Sequence, residues 1–369
     1  MRSIRVIISG GGTGGHIFPA VAIANELKAM DPQTEILFVG AEGKMEMQKV
    51  PQAGYQIIGL PIVGIRRELT LSNLAFPLKL IKSLWKARKI VKEFKPDVAV
   101  GVGGYASGPL LYTAGQSGVP TLIQEQNSYA GLTNKWLAGK ASTICVAYEG
   151  MEKFFPKEKI QLTGNPVRKD IASGQDKRAE ALAFFGLSPE RKTLLVIGGS
   201  LGARTINESL EKGLRTLVEA GYQVIWQTGK GFIERASALA ATFSSGQAKV
   251  FEFISAMDLA YAAADAVISR AGALSVSELC LVGKPAILVP FPFAAEDHQT
   301  QNAMALVRLN SAILVTDAEA KDKLLPAAMD LLANEGRRRE LSENIRKSAK
   351  PDAARTIANE VVRLARKSK

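Results

Sequence analysis

Short runs of aliphatic and β-branched residues recur along this chain. Between many of them lie longer stretches with apolar residues at helical spacing. In the first half the runs fall at 4–9, 35–40, 55–60, 97–102, 120–125, 142–147 and 160–163. In the second half they fall at 193–197, 222–227, 249–253, 265–269, 285–290 and 312–315. Alternating strand and helix patterns predict an α/β fold with parallel sheets and helices on both faces. Helices are predicted over Pro19–Met30 and Leu78–Phe94, among others. Thirteen strands are too many for one such sheet and divide into two.

The division falls at "TGNPVRKDIASGQDK" (163–177), which carries Gly, Pro, Ser and charges. Beyond it, "TLLVIGGSLGARTINESL" repeats the order of "RVIISGGGTGGHIFPAVAIANEL": strand, glycine-rich turn, helix. A length of 369 residues also exceeds one comfortable core. The expectation is a first domain over 1–164 and a second over 165–345. A basic helical tail, 346–369, is expected to pack back on the first.

With 47% hydrophobic and 22% charged residues, the chain is globular rather than disordered. Its two cysteines, Cys145 and Cys280, have no metal-ligand spacing and read as reduced, buried thiols of a cytoplasmic protein. No apolar run reaches the ~18 residues of a membrane span, and no signal peptide is evident. The net charge of +12 calls for an anionic partner: nucleic acid, an anionic membrane or a phosphorylated substrate.

Three glycine-rich loops follow strands and open helices: "GGGTGGH" (10–16), "GVGGYASG" (101–108) and "GGSLGA" (198–203). Such loops bring backbone N–H groups and a helix N-terminus within reach of phosphate oxygens. Tight strand–helix packing with no ligand is the alternative for any one of them. The first contains G-x-G-x-x-G, the dinucleotide fingerprint. An oxidoreductase would need one such loop and an acid ending the second strand. That strand ends "ILFVGAEG", with Glu42 only near the required place. Three loops over two domains fit two phosphate-bearing ligands better.

His16 opens the helix after the first loop. A helix N-terminus disfavours imidazolium, which leaves the ring able to accept a proton. A histidine merely packed at the turn is the alternative. His298 suits positioning as well as catalysis. Glu278 shares a helical stripe with Leu274 and Leu281 or Val282, where a carboxylate needs a partner: ribose hydroxyls, or a neighbouring Lys or Arg. Asp297, Gln299 and Asn302 put amide and carboxylate groups near a strand's carboxyl end, suited to sugar hydroxyls. No D-x-D occurs. A departing diphosphate would then be met by helix N-termini and Arg168 rather than by a carboxylate-held metal.

Residues 66–95 hold nine basic residues against two acidic, a local excess of +7. Leu80, Leu84, Ala87, Val91 and Phe94 form the predicted core stripe. Leu71, Leu74, Phe76, Ile81 and Trp85 lie off it. Apolar residues among lysines suit an anionic membrane surface, against the alternative of a solvated basic face. No nucleic-acid motif is present, so nucleic acid ranks below lipid.

Together, "GGTGGHIFPA", "GVGGYASGP", "QEQNSYAGLTNKWLA", "TGNPVR", "GGSLGA", "SRAGALSVSEL" and "DHQTQNA" resemble the MurG family, in order from residue 10 to about 303. These enzymes transfer N-acetylglucosamine from UDP-N-acetylglucosamine to undecaprenyl-diphospho-N-acetylmuramoyl-pentapeptide (lipid I), giving lipid II for peptidoglycan. The resemblance implies a GT-B fold: two Rossmann-like domains with parallel sheets facing across a cleft. The first domain would take the lipid acceptor and the second the UDP-sugar, at the cytoplasmic face of the membrane, with no cofactor, no metal site and no nucleic-acid partner.

By the same resemblance, His16 and Glu125 are the catalytic candidates. Thr13, Gly14, Gly15, Tyr105 and Asn127 fall on the acceptor side. Arg168, Ser200, Ile254, Ala273, Leu274, Ser275, Glu278 and Gln299 fall on the donor side. Ile254 matches a backbone contact to uracil, Glu278 the ribose ligand and Gln299 a contact to the sugar. The first glycine loop would cradle the acceptor's diphosphate. The alternatives are a related glycosyltransferase acting on diacylglycerol and a non-enzymatic nucleotide-binding module at the membrane.

Overall fold

The computed structural model describes residues 3–62, 76–168, 171, 177–199, 201–243 and 246–367. The chain forms two compact units, Met1–Val167 with Asp352–Lys369, and Arg168–Pro351.

The first unit is built on seven parallel strands: β1 (Arg5–Ser9), β2 (Glu35–Ala41), β3 (Gln56–Leu60), β4 (Val98–Gly101), β5 (Thr121–Glu125), β6 (Thr143–Val146) and β7 (Ile160–Leu162). Their order is β3-β2-β1-β4-β5-β6-β7. Alternate side chains of a strand feed opposite faces. Val6 and Ile8 pack against α1 (Gly14–Met30), while Ile7 joins Ala87, Ile90 and Leu110 on the other face. Both faces are therefore buried, which is why these strands read as unbroken apolar runs. Helix α1 begins five residues before the predicted Pro19, so that proline lies inside it.

Two further helices of this unit bear on function: α2 (Glu46–Gln52) and α3 (Phe76–Phe94). Ser83, Ala87, Ile90 and Val91 are the buried residues of α3, and Leu80 and Phe94 pack partly buried beside them. Ser83 and Ile90 thus join the predicted stripe. Phe76, expected off it, packs against the core, and Leu78 is the exposed residue instead. The helix Ala353–Lys367 lays Ile357, Val361 and Leu364 on the core formed by α1.

The second unit has six parallel strands: β8 (Thr193–Ile197), β9 (Gln223–Gln227), β10 (Ala248–Phe251), β11 (Ala266–Ser269), β12 (Ala286–Leu288) and β13 (Ile313–Leu314). Their order, β10-β9-β8-β11-β12-β13, repeats that of the first six strands of the other sheet. The helix Glu335–Lys347 belongs here: Ile345 is buried and Ser342 Oγ donates to Gly283 O at 2.5 Å. The chain therefore rejoins the first unit at Asp352 rather than at 346.

Candidate active site

In an open parallel sheet, ligands gather at the carboxyl ends of the strands where the strand order reverses. That point lies between β1 and β4 in the first unit and between β8 and β11 in the second. The glycine-rich loops occupy these places.

In the first unit the loops after β1 and β4 press together. Gly104 has a φ of +87°, and a Cβ there would lie 2.4 Å from Gly11 O. Gly103, at φ +98°, faces the His16 ring, and a Cβ would lie 2.8 Å from Nε2. Only glycine permits both approaches. His16 Nδ1 lies 3.0 Å from Gly11 O and 3.3 Å from Thr13 Oγ1. A carbonyl only accepts, so Nδ1 carries the proton, and in the neutral ring Nε2 is the basic nitrogen. Thr13 and Tyr105 are exposed, and Gly14, Gly15 and His16 are half-buried.

One expected cradle group is committed elsewhere. Gly12 N–H donates to Glu46 Oε2 at 2.9 Å, so any anion held by this loop would rely on the helix N-terminus at Thr13, Gly14 and Gly15. Glu46 is 1% exposed, and its Oε1 accepts Ala41 N–H at 3.0 Å.

Glu125 is enclosed by N–H groups of the turn that follows it. It is 2% exposed at the end of β5. Oε1 accepts from Asn127 N (3.0 Å) and Nδ2 (3.4 Å), and Oε2 from Gly131 N (3.0 Å) and Asn134 Nδ2 (2.8 Å). Four N–H contacts engage both oxygens of the carboxylate in shaping the turn after β5. Asn127 is part of that turn. Gln126 and Asn165 form a buried amide network beneath it: Gln126 Nε2 donates to Val102 O at 2.8 Å, and Asn165 Nδ2 donates to Gln126 O at 2.9 Å. The "QEQN" and "TGNP" motifs thus fix one another and the β4 loop.

In the second unit, Gly202 (φ +78°) approaches Thr228 O so closely that a Cβ would lie 1.9 Å from it. Ser200 lies outside the described residues. Gln227, which the sequence reading passed over, joins the glycine loop to the segment after β10. Its Nε2 donates to Gly199 O at 3.0 Å, and its Oε1 accepts Ile254 N–H at 2.9 Å. A backbone contact from Ile254 to a base would therefore use its carbonyl.

The helix Ala273–Val282 follows β11, with Gly272 as N-cap and no side-chain cap. Ala273, Leu274 and Ser275 form its first turn, where N–H groups and dipole favour an anion. One turn further, Glu278 Oε2 accepts the Tyr261 hydroxyl at 3.0 Å. Tyr261 is fully buried. Burial and the Glu278 charge hold its pKa well above the usual tyrosine value, while Arg168 acts in the opposite sense. Arg168 thus exerts its charge on this pair.

Gln299 lies in the first turn of His298–Val307, where its Oε1 accepts Phe291 N–H at 2.9 Å. Its amide N–H groups face no such demand from that bond. Glu296 and Asp297 before it have φ of +54° and +52°. Two consecutive non-glycine residues in the left-handed region are a strained loop of the kind found at ligand sites. Asn302 is fully buried and donates to Ala271 O at 3.3 Å, which places it in the scaffold. Among the described residues no cluster of three or more His, Cys, Asp or Glu could hold a metal ion.

Two Rossmann-type units, each with a glycine-rich loop at its switch point, define a nucleotide-binding type of architecture. Residues 6–146 match the glycosyltransferase family 28 N-terminal domain and 193–357 its C-terminal domain. The chain is 60% identical over 368 residues to the UDP-N-acetylglucosamine–N-acetylmuramyl-(pentapeptide) pyrophosphoryl-undecaprenol N-acetylglucosamine transferase of Bacteroides fragilis, covering 99% of this chain and 97% of that one. The Flavobacterium psychrophilum protein of the same name is 51% identical over 369 residues, covering all of both chains. The crystal structure of Acinetobacter baumannii MurG superposes with a TM-score of 0.81 at 30% identity, covering 98% and 99% of the two chains. The chain belongs to this family, the MurG glycosyltransferases.

Proposed function

We propose that this enzyme transfers N-acetylglucosamine from UDP-N-acetylglucosamine to the 4-hydroxyl of the N-acetylmuramoyl group of lipid I, with inversion, giving lipid II. The observation that carries this reading is full-length identity of 51–60% with transferases of that name. The geometry supports a division of labour. The first unit takes the acceptor, with Thr13, Gly14, Gly15, Tyr105 and Asn127 around the β1 and β4 loops. The second takes the donor, with Ala273–Ser275 at the diphosphate, Glu278 at the ribose, Ile254 at the base and Gln299 at the sugar. Arg168 meets the charge departing on UDP, and Ser200 belongs to the same group of contacts.

His16 is the base in this reading. With Nδ1 donating to Gly11 O, Nε2 is the nitrogen that accepts a proton in the neutral ring, and the ring sits at a helix N-terminus that opposes imidazolium. Glu125, engaged by four N–H contacts, positions the turn bearing Asn127 instead. The acceptor hydroxyl attacks the anomeric carbon as its proton passes to Nε2. The UDP leaving group takes its charge to the helix N-terminus.

A lipid acceptor requires docking at an anionic membrane surface, on its cytoplasmic side. No described helix is long and apolar enough to cross a membrane. The exposed face of α3 is the proposed contact, through Leu78, Ile81 and Trp85 between lysines. Trp136, stacked on Tyr112 with centroids 5.5 Å apart, is a further exposed aromatic of this unit.

The deciding experiment measures UDP release from UDP-N-acetylglucosamine with a lipid I analogue and with diacylglycerol. Turnover with the lipid I analogue alone supports the proposal. Turnover with diacylglycerol alone, or donor binding without turnover, overturns it.

A further inference from the structure

The Gly11–Gly12 peptide joins two groups of opposite character. Its carbonyl, Gly11 O, accepts from His16 Nδ1 at 3.0 Å. Its N–H, on Gly12, donates to Glu46 Oε2 at 2.9 Å. The two contacts use the two ends of one planar amide. A carboxylate at the N–H end pulls that proton and raises electron density on the carbonyl oxygen, which strengthens its bond to the imidazole. The chain of contacts runs carboxylate, peptide, imidazole.

The surroundings are built around this arrangement. Glu46 is 1% exposed, yet it sits in the first turn of α2, a place where acids are ordinarily solvated. Room for its side chain comes from missing Cβ atoms. A Cβ on Gly11 would lie 2.2 Å from Oε1, and one on Gly40 would lie 2.5 Å from Cγ. Gly104 in turn yields space to Gly11 O. The second carboxylate oxygen is held by Ala41 N–H at 3.0 Å, so the group has a fixed orientation at the end of β2.

We propose that Glu46 is a positioning residue for His16, acting through the Gly11–Gly12 peptide to fix the ring tautomer and raise its basicity. It plays the part that a directly bonded carboxylate plays behind other catalytic histidines, at one peptide's remove. The inference rests on His16 being the base. The first turn of α1 carries no acid, and the loop after β4 offers only Tyr105. The Glu26–Arg355 pair lies ten residues along α1 from His16, roughly 15 Å at helical rise.

The test uses Glu46→Gln and His16→Ala in the full chain, with nitrogen-15 NMR of the imidazoles. The chain has only two histidines, so His16 is assigned by loss of its signals in His16→Ala. Wild-type His16 is expected as the Nδ1–H tautomer. In Glu46→Gln its pKa should fall, because the group favouring imidazolium has lost its charge. The acid limb of the kcat profile should move to lower pH, and kcat should drop about 10- to 100-fold with the KM for UDP-N-acetylglucosamine unchanged. Adding Glu46→Gln to His16→Ala should cost nothing further, since the two act as a unit.

A wild-type Nε2–H tautomer overturns the proposal, even if the variant fails to fold. So does an unchanged His16 pKa in a folded variant, or a loss that simply adds to that of His16→Ala. Normal turnover by His16→Ala would instead sink the base assignment, leaving the NMR result to judge the coupling by itself.

Discussion

Tyr261 donates its hydroxyl proton to Glu278 at 3.0 Å, and the tyrosine is wholly buried behind the helix that carries the glutamate. Sequence spacing had left Glu278 a choice between ribose hydroxyls and a Lys or Arg salt bridge. One observed partner is a neutral hydroxyl, which braces one oxygen and leaves the charge on the carboxylate, and Arg168 exerts its charge on the same pair. A ribose ligand benefits from such an anion, because hydrogen bonds to charged groups are the stronger kind. Glu278→Ala should therefore weaken UDP-sugar binding by about 1.5–3 kcal/mol. A 2′-deoxyribose donor should lose much less between wild type and variant. Isothermal titration with both donors checks this, and equal losses would make Glu278 structural. Tyr261→Phe should raise the donor KM in the same direction by a smaller factor.

The His16 assignment has its own kinetic signature. His16→Ala should lower kcat by roughly 10²–10⁴, the usual contribution of a positioned acid or base. Donor affinity should stay at the wild-type value, because His16 belongs to the first unit and the donor contacts are assigned to the second. Stopped-flow turnover beside equilibrium UDP binding separates the two effects. A large loss of UDP binding would show that His16 acts on the donor.

The C-terminal helix makes a stability prediction. Glu360 is nearly buried, accepts the Thr143 hydroxyl at 2.7 Å and is paired with Arg363. The Arg363 hydrogen bond is the main cause holding its carboxyl below the usual range. A carboxyl with a depressed folded-state pKa stabilises the fold above its unfolded value, near 4.3, and loses that contribution as pH falls through the folded value. The melting temperature of wild type should thus exceed that of Glu360→Gln at neutral pH, and the gap should close as pH falls below the unfolded value and through the depressed folded one. A gap independent of pH would mean that shape rather than charge holds this helix.

The strands and their division into two sheets were legible because the central strands are buried on both faces and leave unbroken apolar runs. The chemistry was less legible where it depends on contacts distant in sequence. Glu42 drew attention as an acid after the second strand, yet it pairs with Lys86 at 2.8 Å on the surface. The acid that reaches the glycine loop is Glu46, four residues later, and only the small cross-sections of Gly11 and Gly40 reveal why. Glu125 was a catalytic candidate through the family resemblance; its four N–H contacts come from residues two to nine positions downstream, which spacing alone does not display. Helical periodicity missed the depth of Phe76 for a related reason. A residue opening a helix is packed by the chain around it and not by the stripe.

Membrane docking is the prediction with the most physical detail. Trp85 is 78% exposed on α3, beside exposed Leu78 and Ile81, a costly display for a protein facing only water. Lys79, Lys82, Lys86 and Lys89 lie on the same helix. Leu74, also expected to insert, lies outside the described residues. Each Lys or Arg near an anionic surface contributes about 1 kcal/mol, and salt screens that part. Inserted Leu78, Ile81 and Trp85 would add a part that salt leaves intact. Binding to phosphatidylglycerol vesicles should therefore weaken, but persist, as salt rises. Changing Lys79, Lys82 and Lys86 together to Glu should abolish most of it. The exposed Lys86–Glu42 pair lost in that variant is of the kind worth at most about 1 kcal/mol, so the fold should survive. Turnover of a short-chain, water-soluble acceptor should also survive, because none of these lysines belongs to the loops around His16. Trp85→Ser should remove mainly the salt-resistant part. If the triple variant still sediments with anionic vesicles as wild type does, the docking surface lies elsewhere. The basic helix Ala353–Lys367 is then the next to test.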